Sequence, residues 1–168
     1  MNLLSIIIPA KDEAKNLIEC ITGISRELNT HLILHEIIVI DDGSLDETSY
    51  VISEIKKIYN TVRCLKNHGE NGFGRAVRIG LDEFTGDAVA VMMADCSDSP
   101  KDLVMYWKTL QEGYECAFGS RFIQGSHVYN YPFLKLVANR IVNTIIRYAF
   151  RIETNDVTNA FKMYKREV

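Results

Sequence analysis

Three apolar runs in this 168-residue chain each end abruptly in acid. Asp12 and Glu13 follow Leu3 to Ile8, Asp41 and Asp42 follow Leu32 to Ile40, and Asp95 and Asp98 follow Val89 to Ala94. Carboxylates gathered in one place repel one another unless a cation or a set of hydrogen-bond donors binds among them. Their hard oxygens favour Mg²⁺ or Mn²⁺, and Mg²⁺ is normally held by only one or two protein carboxylates together with substrate phosphates. A nucleoside diphosphate carrying its metal meets that description. The richest of the three stretches is Ala94-Asp-Cys-Ser-Asp-Ser-Pro100, where Asp95, Ser97 and Asp98 offer oxygen ligands within four residues.

The elements around these acids must bring them together. Leu3 to Ile8 reads as a buried strand stopped by Pro9, and Leu17, Cys20, Ile21, Ile24 and Leu28 then recur at helical spacing. The unit repeats: a strand from Leu32 to Ile40, then a helix begun at Asp46-Glu-Thr with Val51, Ile52, Ile55 and Ile58 on its apolar face. A short strand from Thr61 to Lys66 leads through Gly72-Phe-Gly74 to a helix facing inward through Val77, Leu81 and Phe84. The run at Val89 is bounded by Gly86-Asp87 and Pro100, so it is a strand, and Pro100 suits the first turn of the helix that buries Leu103, Val104, Trp107 and Leu110. Glu115 to Gly119 is a fifth strand, residues 133 to 151 form a long helix, and Asn155 to Lys165 is a loop with a possible strand. Strands alternating with helices imply βαβ crossovers and an α/β fold with a mostly parallel central sheet flanked by helices. In such a sheet the carboxyl ends share one edge, so acids distant in sequence converge where ligands bind.

Each piece has a plainer reading when taken alone. Asp41-Asp-Gly-Ser44 has the composition of a turn with a helix cap, and Asp98 stands where it would cap the helix begun by Pro100. Gly72-Phe-Gly-Arg-Ala76 resembles a phosphate-binding turn but lacks the third glycine of the dinucleotide fingerprint. Gly80 and Gly86 read as packing and turn positions, and Arg121 as a surface arginine. The four histidines have no metal-ligand spacing and receive no role.

Length and composition suit one globular domain with its own core. The net charge of −3 divides unevenly, −7 over residues 1 to 134 and +4 over residues 135 to 168. A basic end on an acidic body points toward an anion such as a phosphate or a membrane surface. No nucleic-acid partner is expected. Cys20, Cys64, Cys96 and Cys116 have neither zinc nor redox spacing and read as buried, reduced thiols of a cytoplasmic protein. No apolar run reaches the roughly 20 residues of a membrane-spanning helix. The abrupt end at Val168 reads as a truncation.

Read together, seven motifs carry a resemblance. Ser5-Ile-Ile-Ile-Pro-Ala-Lys-Asp-Glu13, Glu36-Ile-Ile-Val-Ile-Asp-Asp-Gly-Ser-Leu-Asp-Glu-Thr48, Gly72-Phe-Gly-Arg-Ala-Val-Arg-Ile-Gly80, Thr85-Gly-Asp87, Met93-Ala-Asp95, Gly119-Ser-Arg121 and Asn155 to Lys162 occur in the order seen in family 2 glycosyltransferases. Within these, the chain most resembles the branch that transfers mannose or glucose to polyprenyl or dolichyl phosphate. The resemblance implies the GT-A nucleotide-diphospho-sugar transferase fold, a UDP- or GDP-hexose donor, Mg²⁺ or Mn²⁺, and an inverting transfer to a lipid phosphate. It implies that Pro9, Ala10, Lys11, Glu13, Ile40, Asp41, Asp42, Gly72 and Ala94 line the donor site. Asp95 would be the principal metal ligand, with Ser97 or Asp98 completing its shell. Arg121 would face a phosphate, and Asp156 and Lys162 would lie on the acceptor side.

The chain departs from the family pattern at three places: Lys11 where an aromatic is frequent, Asp12 for Asn, and Met93 for the first acid of Asp-x-Asp. Met is no ligand for a hard cation. Full-length relatives of this kind continue into membrane-associated helices, and the 133 to 151 helix is a candidate dimer contact or membrane-facing surface. Two other functions compete: transfer to a glycan hydroxyl, which needs a carboxylate base from Asp98 or Asp156, and a non-catalytic nucleotide-sugar-binding module.

Overall fold

The computed structural model describes residues 1–123 and 133–168. Its contacts divide the chain into two compact units, one of residues 1–117 and 161–168, the other of residues 118–160.

The first unit is built on a sheet of β1 (Leu3–Ala10), β2 (Leu34–Asp41), β3 (Val62–Lys66), β4 (Ala88–Val91), β5 (Cys116–Phe118) and β6 (Lys162–Lys165), in the order β3-β2-β1-β4-β6-β5. β1 pairs in parallel with both β2 and β4, β2 pairs in parallel with β3, and β6 runs antiparallel to β4. The possible strand near the end of the chain is thus real. The crossovers are α1 (Leu17–Thr30), α2 (Thr48–Ile58), α3 (Phe73–Glu83) and α4 (Pro100–Gln111).

Alternation along β1 explains the layering. Leu4, Ile6, Ile8 and Ala10 join a core with α1, α2 and α4, whereas Ile7 faces a smaller core with Ile38, Ile40, Val89 and Ala76 of α3. Both faces of the central strands are therefore covered, as their near-continuous apolar sequences demand. The inward residues expected for α1 and α4 are buried as read.

Three expectations need correction. Pro9 does not stop β1; it pairs with Ile40 in register. The bond from the Met92 amide to the Ile7 carbonyl shows that odd-numbered residues of β1 face β4. β4 has already ended opposite Ile7, so the missing N–H of Pro9 leaves no ladder bond unmade. The inward face of α3 is Ala76 and Gly80 rather than Val77, Leu81 and Phe84, and Leu81 is exposed. A Cβ on Gly80 would lie 2.5 Å from the Ile7 side chain, so the helix approaches β1 more closely than large residues permit. On α2, likewise, Ile58 is exposed, and Thr48 joins Ile52 and Ile55 in the interior.

The second unit carries α5 (Phe133–Phe150) and the loop that follows it. Among the described residues, no helix is long and apolar enough to cross a membrane.

Candidate active site

The strand order reverses at β1: the chain proceeds from β1 through β2 to β3 on one side, then returns with β4 on the other. In open α/β sheets ligands bind outside the carboxyl ends of the strands at such a switch point, which here lies between β1 and β4. Ala10, Asp41 and Lys66 are level with one another across β1, β2 and β3. Ala94 and Asp95 lie just beyond β4, and Lys162 opens β6 opposite Val91, on the same edge.

The carboxylates at this edge do different work. Asp41 and Asp42 are almost fully buried. Asp41 accepts bonds from the Ser44 amide at 3.0 Å and the Ser49 hydroxyl at 2.5 Å. Burial pushes its carboxyl up, but these bonds and the charge of Lys66 outweigh that and hold it below the usual carboxylate range. Asp42 takes the Asn67 amide on one oxygen at 2.6 Å and the Gly72 N–H on the other at 2.7 Å. Its carboxylate therefore ties the Gly72 turn to the end of β2. Gly43 between this turn and the strand has φ +75°, and a Cβ there would lie 2.8 Å from Asn71, so the turn requires glycine.

The loops after β1 and β2 are laced together. Asp12, at φ 57°, accepts the Leu45 amide at 2.7 Å and donates its own amide to the Ser44 hydroxyl. Thr48, fully buried, donates its hydroxyl to Asp46 and accepts the Glu13 amide at 2.9 Å. Of the lacing residues, Asp12 is one of the strand-end acids found from the sequence, whereas Ser44, Asp46, Thr48 and Asn67 escape a search for catalytic groups. Their signal is local: Asp46-Glu-Thr48 and Asn67-His-Gly69 both have the spacing at which a side chain bonds the amide two residues on.

Asp95 stands apart. It is exposed, one oxygen accepts the Ser97 amide at 3.0 Å, and among the described residues the other has no partner. The next residue, Cys96, has φ 60°, an uncommon conformation for a side chain of its kind, which turns the segment outward after the acid. Asp98 accepts the Met93 amide at 2.8 Å, which closes the Asp95 turn onto the end of β4. The N-cap position of α4 falls on Ser99, with no side-chain cap bond, and Pro100 sits in the first turn as read. Among the described residues no three His, Cys, Asp or Glu side chains cluster tightly enough to hold a metal alone.

Lys11 is exposed and Glu13 half-buried, with Glu13 accepting the Asn16 amide at 2.9 Å. Pro9, Ala10, Ile40 and Ala94 are buried, so their side chains are not presented to solvent. The four cysteines are free, but Cys96 is exposed, correcting the expectation of buried thiols; it lies in the turn, not in a periodic segment. Burial, with Cys96 nearby, pushes the Cys20 thiol up to about 12.

Arg121 and Asp156 belong to the second unit and form one structure. The guanidinium donates Nε to Asp156 at 2.8 Å and Nη2 at 2.7 Å, while the Arg121 amide adds a third bond at 2.9 Å. Asp156 is completely buried. That burial raises its affinity for a proton, yet the bonds and charge of Arg121 prevail and hold the carboxyl below its ordinary range. Thr158 extends the network from Arg121 to Asn139 and Asn143 of α5.

A family model described as Glycosyl transferase family 2 matches residues 5–168. The chain is 30% identical over 167 residues to a dolichol-phosphate mannosyltransferase of Pyrococcus furiosus, across 98% of this chain and 47% of that protein. It is 31% identical to a polyprenol monophosphomannose synthase of Mycolicibacterium smegmatis, across 97% of this chain and 62% of that protein. The chain thus spans roughly half to three-fifths of the length of these relatives. Among solved structures, glucosyl-3-phosphoglycerate synthase from Mycobacterium tuberculosis, in complex with Mn²⁺, UDP-glucose and phosphoglyceric acid, aligns with a TM-score of 0.73 at 20% identity over 99% of this chain and 57% of that one. A mannosyltransferase from Pyrobaculum calidifontis in complex with GDP-Man and Mn²⁺ aligns with a TM-score of 0.64 at 16% identity over 98% and 44%. At these identities the likenesses establish the fold, which is GT-A as expected.

Proposed function

Because the chain belongs to glycosyl transferase family 2, we propose that it binds a nucleotide sugar at the β1/β4 switch point and transfers the hexose, with inversion, to a polyprenyl phosphate. The observation that carries this reading is the contrast between Asp95, exposed and, among the described residues, with one oxygen unpartnered, and Asp42, buried and bonded to the Gly72 turn. The names of the two curated relatives support the acceptor class, and those of the two solved structures support UDP or GDP donors with Mn²⁺.

The donor set fits a hard divalent cation. Asp95 would hold Mg²⁺ or Mn²⁺, with Ser97 or Asp98 assisting, and the diphosphate oxygens would complete a shell that the described residues alone do not fill. When bound, the ion supplies electrophilic stabilisation of the departing nucleoside diphosphate. Lys11, exposed at the end of β1, adds positive charge on the same edge, and the buried backbone of Pro9, Ala10, Ile40 and Ala94 shapes the base and ribose site with Asp41, Asp42 and Glu13.

A phosphate acceptor, largely dianionic at neutral pH, attacks the anomeric carbon without a general base. That matters, because the two candidates for a base are poorly suited to the task. Asp156 is buried, held ionised and bonded on both oxygens by Arg121, and Asp98 accepts the Met93 amide. The lipid phosphate is therefore favoured over a glycan hydroxyl. Lys162 adds charge at the start of β6, on the same edge as Lys11.

The test is transfer itself. Radiolabelled GDP-mannose or UDP-glucose is offered with Mn²⁺ and polyprenyl phosphate, and label is measured in the organic phase. Label should enter with the native chain and fall about 100- to 1,000-fold with Asp95→Asn. Label that stays aqueous with every donor while nucleotide sugar still binds would identify a non-catalytic module instead. Transfer by Asp95→Asn at the native rate would refute the assignment of Asp95.

A further inference from the structure

Cys20 and Cys96 are distant in sequence and meet in space. Cys20 lies on the inward face of α1 and is 6% exposed, and its thiol donates to the Met93 carbonyl at 3.6 Å. Cys96 is exposed in the turn after β4. Its thiol donates to the Asn16 carbonyl at 3.7 Å, the same oxygen that accepts the Cys20 amide at 3.0 Å. The two thiols are also hydrogen-bonded to each other. Both line one cavity of about 670 Å³, together with Lys15, Glu19, Asp98 and Pro100, so a small solute entering it meets both residues.

The sulfurs of a disulfide stand about 2.05 Å apart, closer than those of hydrogen-bonded thiols, so joining them must move one residue. Cys20 is packed in the main core with Ile21 and Ile24. Cys96 sits at φ 60° on an exposed turn held by the bonds from the Met93 amide to Asp98 and from the Ser97 amide to Asp95. The turn is therefore the part that yields. The thiol bonds to the Met93 and Asn16 carbonyls are lost with their protons.

We propose that Cys20 and Cys96 are a modification site, which a low-molecular-weight disulfide oxidises to an internal disulfide that shifts the Asp95 turn. The Cys96 sulfur attacks the small disulfide, releasing one thiol and leaving a mixed disulfide. The Cys20 sulfur then attacks the Cys96 sulfur and releases the second thiol. The protein pair loses two electrons and two protons, and the small disulfide takes up both. Thiolate is the attacking form, and burial disfavours it at both residues, so the exchange is slow and calls for oxidant in excess. The consequence for donor binding rests on the role proposed for Asp95, whereas the link and the movement of the turn do not.

The experiment treats the native chain with excess oxidised glutathione, without metal or sugar donor, then alkylates the remaining thiols and maps the peptides by mass spectrometry. A peptide joining Cys20 to Cys96 should form, with Cys64 and Cys116 alkylated. Dithiothreitol should reverse the link, and Cys96→Ser, at an exposed position, should lack it. Hydrogen exchange of the amides of residues 93–98 should quicken about 2- to 10-fold in the linked form, the protection that one hydrogen bond gives, and slow again on reduction. The proposal fails if all four thiols remain open to alkylation, or if Cys96 keeps glutathione without Cys20 joining it. It also fails if the link forms while exchange in the turn is unchanged. Because neither metal nor donor is present, none of these results bears on the transfer reading.

Discussion

The turn after β2 and the turn after β4 begin from the same sequence logic and end in opposite states. After β2, Asp41 and Asp42 are buried and every carboxylate oxygen is engaged by an amide or hydroxyl of the protein. After β4, Asp95 is exposed and one oxygen is bound only to the amide two residues on. A carboxylate fully bonded to backbone and side-chain donors is part of the scaffold, and one with an oxygen to spare is available to a ligand. The second unit supplies the extreme of the first kind in Asp156, fully buried beneath three bonds from Arg121.

This contrast predicts that stability and function separate by position. Asp156→Asn should have the largest effect on stability, about 3 kcal/mol, because it leaves the Arg121 guanidinium without its counter-charge. Asp42→Asn should cost about 2 kcal/mol, since one of two donors then faces an NH₂ group. Thr48→Val, which removes one hydroxyl bond to Asp46 and one from Glu13, should cost about 1 kcal/mol. Asp95→Asn should change stability by less than about 0.5 kcal/mol, as expected for an exposed position. Urea unfolding curves measure all four, and a stability loss at Asp95 equal to that at Asp42 would break the distinction.

Acid provides a weaker test on the same axis. Asp41 and Asp156 are held below their ordinary carboxylate range, so the folded state binds protons less readily than the unfolded chain. Their contribution is complete above about pH 4 and is lost as pH falls through the lower, folded values. Stability measured against pH should be flat near neutrality and decline in acid. Asp156→Asn should make that decline shallower.

Much of this architecture was legible in the residues. Periodicity placed α1 and α4 with their inward faces, because large aliphatic residues at helical spacing have only one way to be buried. It failed on α3, where the inward face is Ala76 and Gly80: apolar periodicity points at large residues, while a helix packed against Ile7 selects small ones. Pro9 was misread as a stop because its tolerance depends on where the neighbouring strand ends, which only the register of β4 reveals. At the site, strand-end acids were findable from type and position. Their division into Asp42 as support and Asp95 as presented group was not, since it depends on Asn67 and Gly72, 25 and 30 residues away. The pairing of Arg121 with Asp156, 35 residues apart, was hidden for the same reason.

The central claim is that Asp95 presents its oxygen to a metal-bound diphosphate while Asp42 and its neighbours hold the site in shape. Calorimetry of GDP-mannose and UDP-glucose binding, with and without Mn²⁺, tests it most directly when the native chain is compared with Asp95→Asn. The native chain should bind its donor more tightly with Mn²⁺, by about 10-fold or more for a ligand pair coupled by 1.4 kcal/mol or greater, and Asp95→Asn should bind the nucleotide sugar with that enhancement gone. An Asp95→Asn chain that keeps the full Mn²⁺ enhancement would contradict the account.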